Sequence, residues 1–412
     1  MTEKDIDGRA ADIKCAPCQG GESRATANPR DNAPQQDEVS QDKAREQSAH
    51  AQSSVRDKSR NHNRTSKPRF RAPRRFAALD LGTNNCRLLV VAPRSNGFRV
   101  IDAFSRIVRL GEGLSQTGRL SEAAMMRTIE ALKTCSEKIA YRQVSKVRCI
   151  ATQACRGAEN GIEFLHRIKQ ATGLSFDMIS TEEEAALAVR GCHDLIDDSV
   201  GAVLVFDIGG GSTELSWVLP AKRRRKPWSG PRRDERAPKF ITWMSIPYGV
   251  VNVSERFGGT MTRETYDKVV HEIADKIRAF CGADSLKPHF QSGNAHLLGT
   301  SGTVTSLAGM HLKLKQYNRQ KVDGIWLSDK TALSVSESLR AMSEEERNNQ
   351  PCIGRERADL VVPGCAILEA IMMVWPSTRI RVADRGLREG VLASLMEQDR
   401  RERAARKVRK EL

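Results

Sequence analysis

One short design occurs twice in this chain of 412 residues. ALDLGTNNCRLLVV, from Ala78, and VFDIGGGSTELSWV, from Val205, each read as an apolar strand, a small polar turn and a second apolar strand. Laid in one register without a gap, Asp80 falls on Asp207, Gly82 on Gly209 and Leu88 on Leu215, an offset of 127 residues. Such a repeat predicts an internal duplication, with each copy opening a lobe of its own.

Between and after the copies, strands alternate with helices. Ser121 to Ala140 places Met125, Ile129, Leu132, Cys135 and Ile139 on one helical face, Val147 to Ala151 reads as a strand, and Thr181 to Cys192 as a helix. Beyond the second copy come a strand around Phe240 to Ile246, a helix from about Arg263 to Phe280 and a strand at Leu297. The class is therefore α/β, with two lobes around an interdomain cleft. The expected organisation is a disordered leader over 1–75, a first domain over 76–187, a second over 188–396 and a basic tail over 397–412.

Composition bears on the edges of that fold. The net charge is +16, yet it is not spread evenly. Residues 51–75 hold nine basic side chains against one acid, 221–239 hold nine against two, and 397–412 hold seven against four. The first 75 residues are polar and nearly free of aliphatics, so they cannot offset the entropy of ordering. The folded body is nearly neutral, with its positive charge on appended segments that suit an anionic partner. The ten cysteines are scattered, and Cys86, Cys149 and Cys365 lie in apolar runs, which suits reduced thiols. Cys15 and Cys18 have no second pair to complete a zinc site. No secretory signal opens the chain, and the apolar stretch from Leu360 to Trp375 is short and interrupted, so a soluble, cytoplasmic protein without membrane contact is expected.

The turns of the repeat carry the candidate chemistry. A loop that holds phosphate must bring backbone N–H groups close to anionic oxygens, which glycine permits. Gly209, Gly210 and Gly211 fit that need, with Ser212 as a hydroxyl donor; Asp207 and Glu214 bracket the turn and could hold Mg²⁺ directly or through water. The first copy offers Asp80, Gly82, Thr83 and Asn84. A third loop, Thr300, Ser301 and Gly302, lies between a strand and a helix and would aim that helix's N-terminus at an anion. A tight hairpin turn is the alternative for any one loop; three together point to a shared phosphate site. Facing duplicated loops across a cleft resemble the actin-like (ribonuclease H-like, ASKHA) phosphotransferase superfamily.

A narrower resemblance follows from DLGTNNCRLLV, TQACRGAENG, ISTEEEAALAVRG, FDIGGGSTELS, GTSGTVTSLAG, ERADLVVPGCAIL and DRGLREGVL, in this order. Over roughly Phe76 to Met396 the chain resembles the exopolyphosphatase and guanosine pentaphosphate phosphohydrolase (Ppx/GppA) family, in a short form without the helical HD-type region of longer members. The resemblance implies Mg²⁺-dependent hydrolysis of the terminal phosphoanhydride bond of inorganic polyphosphate, or of guanosine pentaphosphate to tetraphosphate, by a homodimer. By motif, Glu184 matches the carboxylate that activates water, and Arg156 an arginine that contacts phosphate. Asp80, Gly82, Thr83 and Asn84, with Asp207 to Ser212 and Glu214, match the phosphate and metal loops, and Thr300 to Gly302 the third.

Some residues admit two readings. Thr181 to Glu184 also spell a capping box, in which Glu184 would bond back to the Thr181 backbone. Asp384, Arg388 and Glu389 read either as an ion-paired helix start or as part of the site. The basic insert reads either as an extended hairpin loop that lengthens a polyanion track or as a solvated surface. Two other functions share the loops: an actin-like small-molecule kinase, for which no acceptor motif is seen, and a non-catalytic polyphosphate- or nucleic-acid-binding protein.

Overall fold

Each copy of the repeated design folds as a hairpin, and the two hairpins open sheets of the same plan. The computed structural model describes residues 74–95, 97–221 and 238–411; the leader through residue 73, with Cys15 and Cys18, and the insert over 222–237 lie outside the described residues. In the first sheet, β1 (Phe76–Leu81), β2 (Asn85–Pro93) and β3 (Phe98–Ile107) form an antiparallel meander, and β4 (Lys146–Ala151) and β5 (Phe176–Met178) add in parallel beyond β1, giving the order β3-β2-β1-β4-β5. In the second, β6 (Ala202–Ile208), β7 (Thr213–Leu219) and β8 (Lys239–Ile246) repeat the meander. Beyond β6 lie β9 (Ala295–Gly299), β11 (Arg379–Val382) and, antiparallel at the edge, β10 (Trp326–Ser328). Asp80 pairs with Arg87 across the first hairpin and Asp207 with Glu214 across the second, so the duplication extends to register. This doubled α/β plan is the actin-like fold that the repeat predicts.

The period-2 alternation of a strand decides where the chemistry points. In β1, Ala77, Leu79 and Leu81 enter the core beneath the helices Glu122–Tyr141 and Gly161–Thr172, while Phe76 and Ala78 enter a separate core on the opposite face. In β6, Leu204, Phe206 and Ile208 enter the large core around Trp217 and Trp375, while Val203 and Val205 face the other way. Asp80 and Asp207 therefore fall on the two inner faces, at the strand ends.

Two helices fill the space between those faces. The helix Thr181–Cys192 gives Leu187 to the first sheet's inner core and Val189 and Cys192 to the second's. Beside it runs Leu387–Glu411, whose Leu387, Val391, Leu392 and Leu395 pack on the first sheet. The two approach through glycines: a Cβ on Gly390 would lie 2.0 Å from the Leu187 carbonyl oxygen, and one on Gly191 would lie 1.8 Å from that of Gly386. The chain thus crosses between the sheets inside a helix that contains the expected boundary at 187/188. Residues 387–396, assigned by sequence to the second lobe, lie on the first sheet, and the segment expected as a basic tail continues the same helix to Glu411. The eight described cysteines are free, seven of them buried. No helix among the described residues is long and apolar enough to cross a membrane.

One buried histidine gives the fold a pH dependence. His296, fully buried in β9, accepts from the Asp197 N–H at Nε2 (3.1 Å) and donates from Nδ1 to the Leu297 carbonyl (2.9 Å), so its partners assign the neutral form. Burial, reinforced by Arg379 and Arg381 and opposed by the Leu297 bond and Asp197, lowers its pKa from 6.5 to about 4. A depressed native pKa means that the unfolded chain takes up the proton first. Its stabilisation is full above pH 6.5 and is lost as pH falls toward 4, about 2 kcal/mol of it between pH 7 and pH 5. Urea denaturation at those two pH values should show a smaller drop in His296→Gln than in the parent; equal drops would remove His296 as the cause.

Candidate active site

The strand ends and the two middle helices enclose one cleft. Asp80, Gly82, Thr83, Asn84, Glu184, Asp207, Gly209, Gly210, Gly211, Ser212, Thr300, Ser301 and Gly302, all candidates from sequence, line it. The first two loops close with the same turn: Gly82 N donates to Asn85 O at 2.9 Å, and Gly209 N to Ser212 O at 2.9 Å. In the third, Ser301 caps the helix Gly302–His311, its hydroxyl accepting from Val304 N, so that helix begins at the cleft wall. The first two loops touch without slack, since a Cβ on Gly210 would lie 2.9 Å from Thr83 Cβ and 3.1 Å from Asn84 N.

Glu184 owes its direction to a cap one residue earlier than the capping-box alternative requires. Ser180 is the N-cap, its Oγ accepting from Glu183 N at 3.1 Å with extended backbone, and Thr181 is already helical. That displacement overturns the Thr181 box and frees Glu184 from the backbone, while Glu183 pairs with Arg148 at 2.7 Å. Glu184 Oε2 accepts from Arg156 Nη2 at 3.1 Å. Arg156 also donates to Ile179 O (2.7 Å) and Gln153 Oε1 (2.9 Å). Arg156 is thus placed behind Glu184 rather than on the cleft wall. Glu214 is likewise recessed, with Oε1 accepting from the Ser212 hydroxyl at 2.7 Å and the Ser245 hydroxyl at 3.1 Å.

Four carboxyl groups crowd this region, and each is held toward its protonated form. Burial is the first cause for all of them. It raises Asp80 to about 6 against Arg87 and Arg388, and Glu214 to about 7 against the hydroxyl of Ser212. It also raises Asp207, against the Thr300 hydroxyl, and takes Glu184 well above the usual range, with Glu214 adding and Arg156 opposing. Asn84 Oδ1 and Asn85 Oδ1 are buried without a hydrogen-bond partner among the described residues. A set of hard oxygen donors fits a divalent cation such as Mg²⁺. Among the described residues no group of three or more His, Cys, Asp or Glu is gathered closely enough to ligate a metal unaided.

The basic side of the cleft was largely missed by sequence reasoning. Arg87, Arg357 and Arg388 line it, and among the described residues none has a carboxylate within ion-pairing distance. Arg87 had a signal, for it occupies in the first hairpin the place that Glu214 holds in the second. Arg357, in a short loop turn more than 250 residues away, lies in the block ERADLVVPGCAIL but was not singled out within it. The last cluster is ion-paired through Arg319 and also borders the cleft. Asp384 accepts from the Tyr317 hydroxyl at 2.7 Å, Glu389 accepts from Arg319 at 2.8 Å and from Gly386 N at 2.9 Å, and both acids line the cleft with Arg388.

Comparison with known proteins places this arrangement among relatives. The model of the Ppx/GppA phosphatase family matches residues 89–399. A Haemophilus influenzae protein provisionally named an exopolyphosphatase is 28% identical over 325 residues, 78% of this chain and 91% of that one. The crystal structure of the Aquifex aeolicus Ppx/GppA family member is similar with a TM-score of 0.62 at 27% identity, covering 80% of this chain and 99% of that one. An exopolyphosphatase structure from Cytophaga hutchinsonii shares the fold, with a TM-score of 0.66 at 23% identity over 79% of this chain and 98% of that one.

Proposed function

The chain belongs to the Ppx/GppA phosphatase family, and from that premise we propose that it hydrolyses the terminal phosphoanhydride bond of inorganic polyphosphate or of guanosine pentaphosphate, with Glu184 as general base. The observation that carries this reading is the placement of Glu184, held by Arg156, on the wall of a cleft whose other walls are three phosphate-type loops and three arginines without carboxylate partners among the described residues. The terminal phosphate would lie against the loop amides and the Ser301 helix start. Arg87, Arg357 and Arg388 would neutralise its oxygens and those of the next phosphates. Glu184 takes a proton from the attacking water as the new P–O bond forms, and the bridging P–O bond breaks toward the shortened chain. Arg156 opposes the burial that raises Glu184. Asp207, which lines the cleft, and Glu214, recessed and acting through water, are the residues that would hold Mg²⁺, which when bound neutralises charge on the phosphoryl oxygens.

Phosphate release in the presence of Mg²⁺, measured in parallel on long-chain polyphosphate, short-chain polyphosphate, guanosine pentaphosphate and ATP, tests the reading and ranks the substrates. Release from one of the first three that depends on Glu184 is expected. Tight polyanion binding with no release from any would instead make this a binding protein.

Chain length has its own expected signature. Arg400, Arg401, Arg403, Arg406 and Arg409 are exposed on the final turns of the Leu387–Glu411 helix. Of these, Arg400, Arg406 and Arg409 have no carboxylate within ion-pairing distance among the described residues. Contact with a long polyanion there would release counterions and be weakened by salt. KM for long polyphosphate should therefore rise more steeply with salt than KM for short chains, and the triple Arg→Glu change at 400, 406 and 409 should remove the difference. Equal salt dependence for the two lengths in the parent protein would exclude this contact.

A further inference from the structure

Each of the first two phosphate loops is braced from behind by another stretch of chain, and the braces are alike. In the first lobe the segment after β3 holds the loop carbonyls: Val108 N and Arg109 N donate to Asn84 O at 2.9 and 3.0 Å, and Gly111 N donates to Thr83 O at 2.9 Å. In the second the first turn of the helix Val250–Phe257 does so. Val250 N donates to Gly209 O at 2.9 Å, Val251 N to Gly210 O at 2.8 Å, and Asn252 Nδ2 to Gly211 O at 2.9 Å. None of these bonds uses the amide hydrogens of Thr83, Asn84, Gly210 or Gly211, the groups an anion would need.

One side chain joins the two braces. Glu255, in the last turn of the Val250–Phe257 helix, reaches the first lobe, where Gly113 N donates to its Oε1 and the Ser115 hydroxyl to its Oε2, both at 2.8 Å. Gly113 is the N-cap of the short helix Leu114–Thr117 and has no side chain with which to cap it. Glu255 supplies that cap from the opposite lobe. A second tie runs alongside: Arg109 pairs with Asp359 at 3.1 Å, and the Asp359 carbonyl accepts from the hydroxyl of Ser254, the neighbour of Glu255, at 3.1 Å. Neither Glu255 nor Asp359 lines the cleft, although Arg357 and Leu360, on either side of Asp359, do.

We propose that Glu255 is a positioning residue, which caps the Leu114–Thr117 helix across the lobes and thereby fixes the spacing of the two phosphate loops on one substrate. The proposal rests on the hydrolase reading above. Its energetic weight is not in global stability, because a partly exposed acid tied to the start of a four-residue helix contributes little to that. It lies in geometry. The loops already meet at Thr83 and Gly210, in-line attack needs both of them in place, and a misplacement of about 1 Å can lower a rate by about 10²-fold. Arg87 and Arg388 stand outside both braces, so binding of the polyanion's charge persists when the tie is cut.

The test is steady-state hydrolysis of polyphosphate with Mg²⁺ by full-length Glu255→Ala and Glu255→Gln, together with hydrogen–deuterium exchange. In the alanine variant kcat should fall about 10- to 100-fold while KM changes by less than about threefold and the melting temperature barely moves. Glutamine should restore most of kcat, because its amide oxygen can accept from Gly113 N and the Ser115 hydroxyl can turn to accept from its amide nitrogen. Exchange over 108–115 should quicken in the alanine variant and extend to 82–85, which Glu255 does not touch. Parent kcat in the folded alanine variant overturns the proposal. So does a loss of kcat that tracks a loss of melting temperature and is not restored by glutamine, the signature of a merely structural contact. If the parent protein releases no phosphate from any substrate, the hydrolase reading fails and exchange alone decides: unchanged exchange at 82–85 refutes the coupling, and faster exchange upholds it.

Discussion

Glu184→Gln should lower kcat by about 10²–10⁴ while leaving the protein folded and able to bind polyphosphate. The substitution keeps the shape of the side chain, and its amide oxygen can still accept from Arg156 Nη2, which retains Ile179 O and Gln153 Oε1 as further partners. The helix start is undisturbed, since Ser180 and not Glu184 satisfies the first-turn amides. What is lost is a group that can take a proton. The variant also removes one acid from a region where Glu214 and Asp207 raise Glu184, so its melting temperature should hold or rise slightly. Single-turnover phosphate release and a direct polyphosphate-binding measurement separate the two effects. Turnover near that of the parent, in a variant that melts normally, would take Glu184 out of the mechanism.

The parts of this architecture that were legible share a physical basis. The repeated hairpin was readable because a strand must alternate and a turn must carry small polar residues, so two copies at one offset preserve topology, register and the inward Asp80 and Asp207 together. Short edge strands such as β10, three residues long, leave no period to read. Glu184 was singled out by motif, yet the competing reading, the Thr181 capping box, could not be dismissed from spacing. Serine and threonine both cap, and which of Ser180 and Thr181 holds the extended backbone is decided by packing of the helix between two sheets. Arg156 was expected on phosphate and is found holding Glu184, a difference of one layer that no spacing rule resolves. Arg87, Arg357 and Arg388 come from three distant segments and converge only through the fold. Each lies within one of the quoted motif blocks, and Arg388 was weighed as part of the site, but for Arg87 the added sign is the charge inversion against Glu214 at the equivalent position.

That same duplication brings the loops close enough for a single methyl group to matter, and Gly210→Ala is expected to lower kcat/KM by about 10- to 100-fold. The backbone at Gly210 is not in the left-handed region, so alanine meets no conformational barrier there. The difficulty is the partner surface. The new Cβ would lie 2.9 Å from Thr83 Cβ, 3.1 Å from Asn84 N and 3.3 Å from Thr83 Cγ2, and a β-branched side chain braced through its own carbonyl cannot swing aside. The first loop must therefore retreat from the second, and the lobes separate at the point where both would contact one phosphate. Stability should change little, because the contact lies at the cleft rather than in either core. Thr83→Gly removes the atoms that clash while sacrificing a hydroxyl at the site, so the informative quantity is the coupling. In a double-mutant cycle on kcat/KM, Gly210→Ala should be several-fold less damaging in the Thr83→Gly background than in the parent. Strictly additive losses would mean that Gly210 is needed for something other than close approach, and would remove loop contact as the reason that this turn carries three glycines.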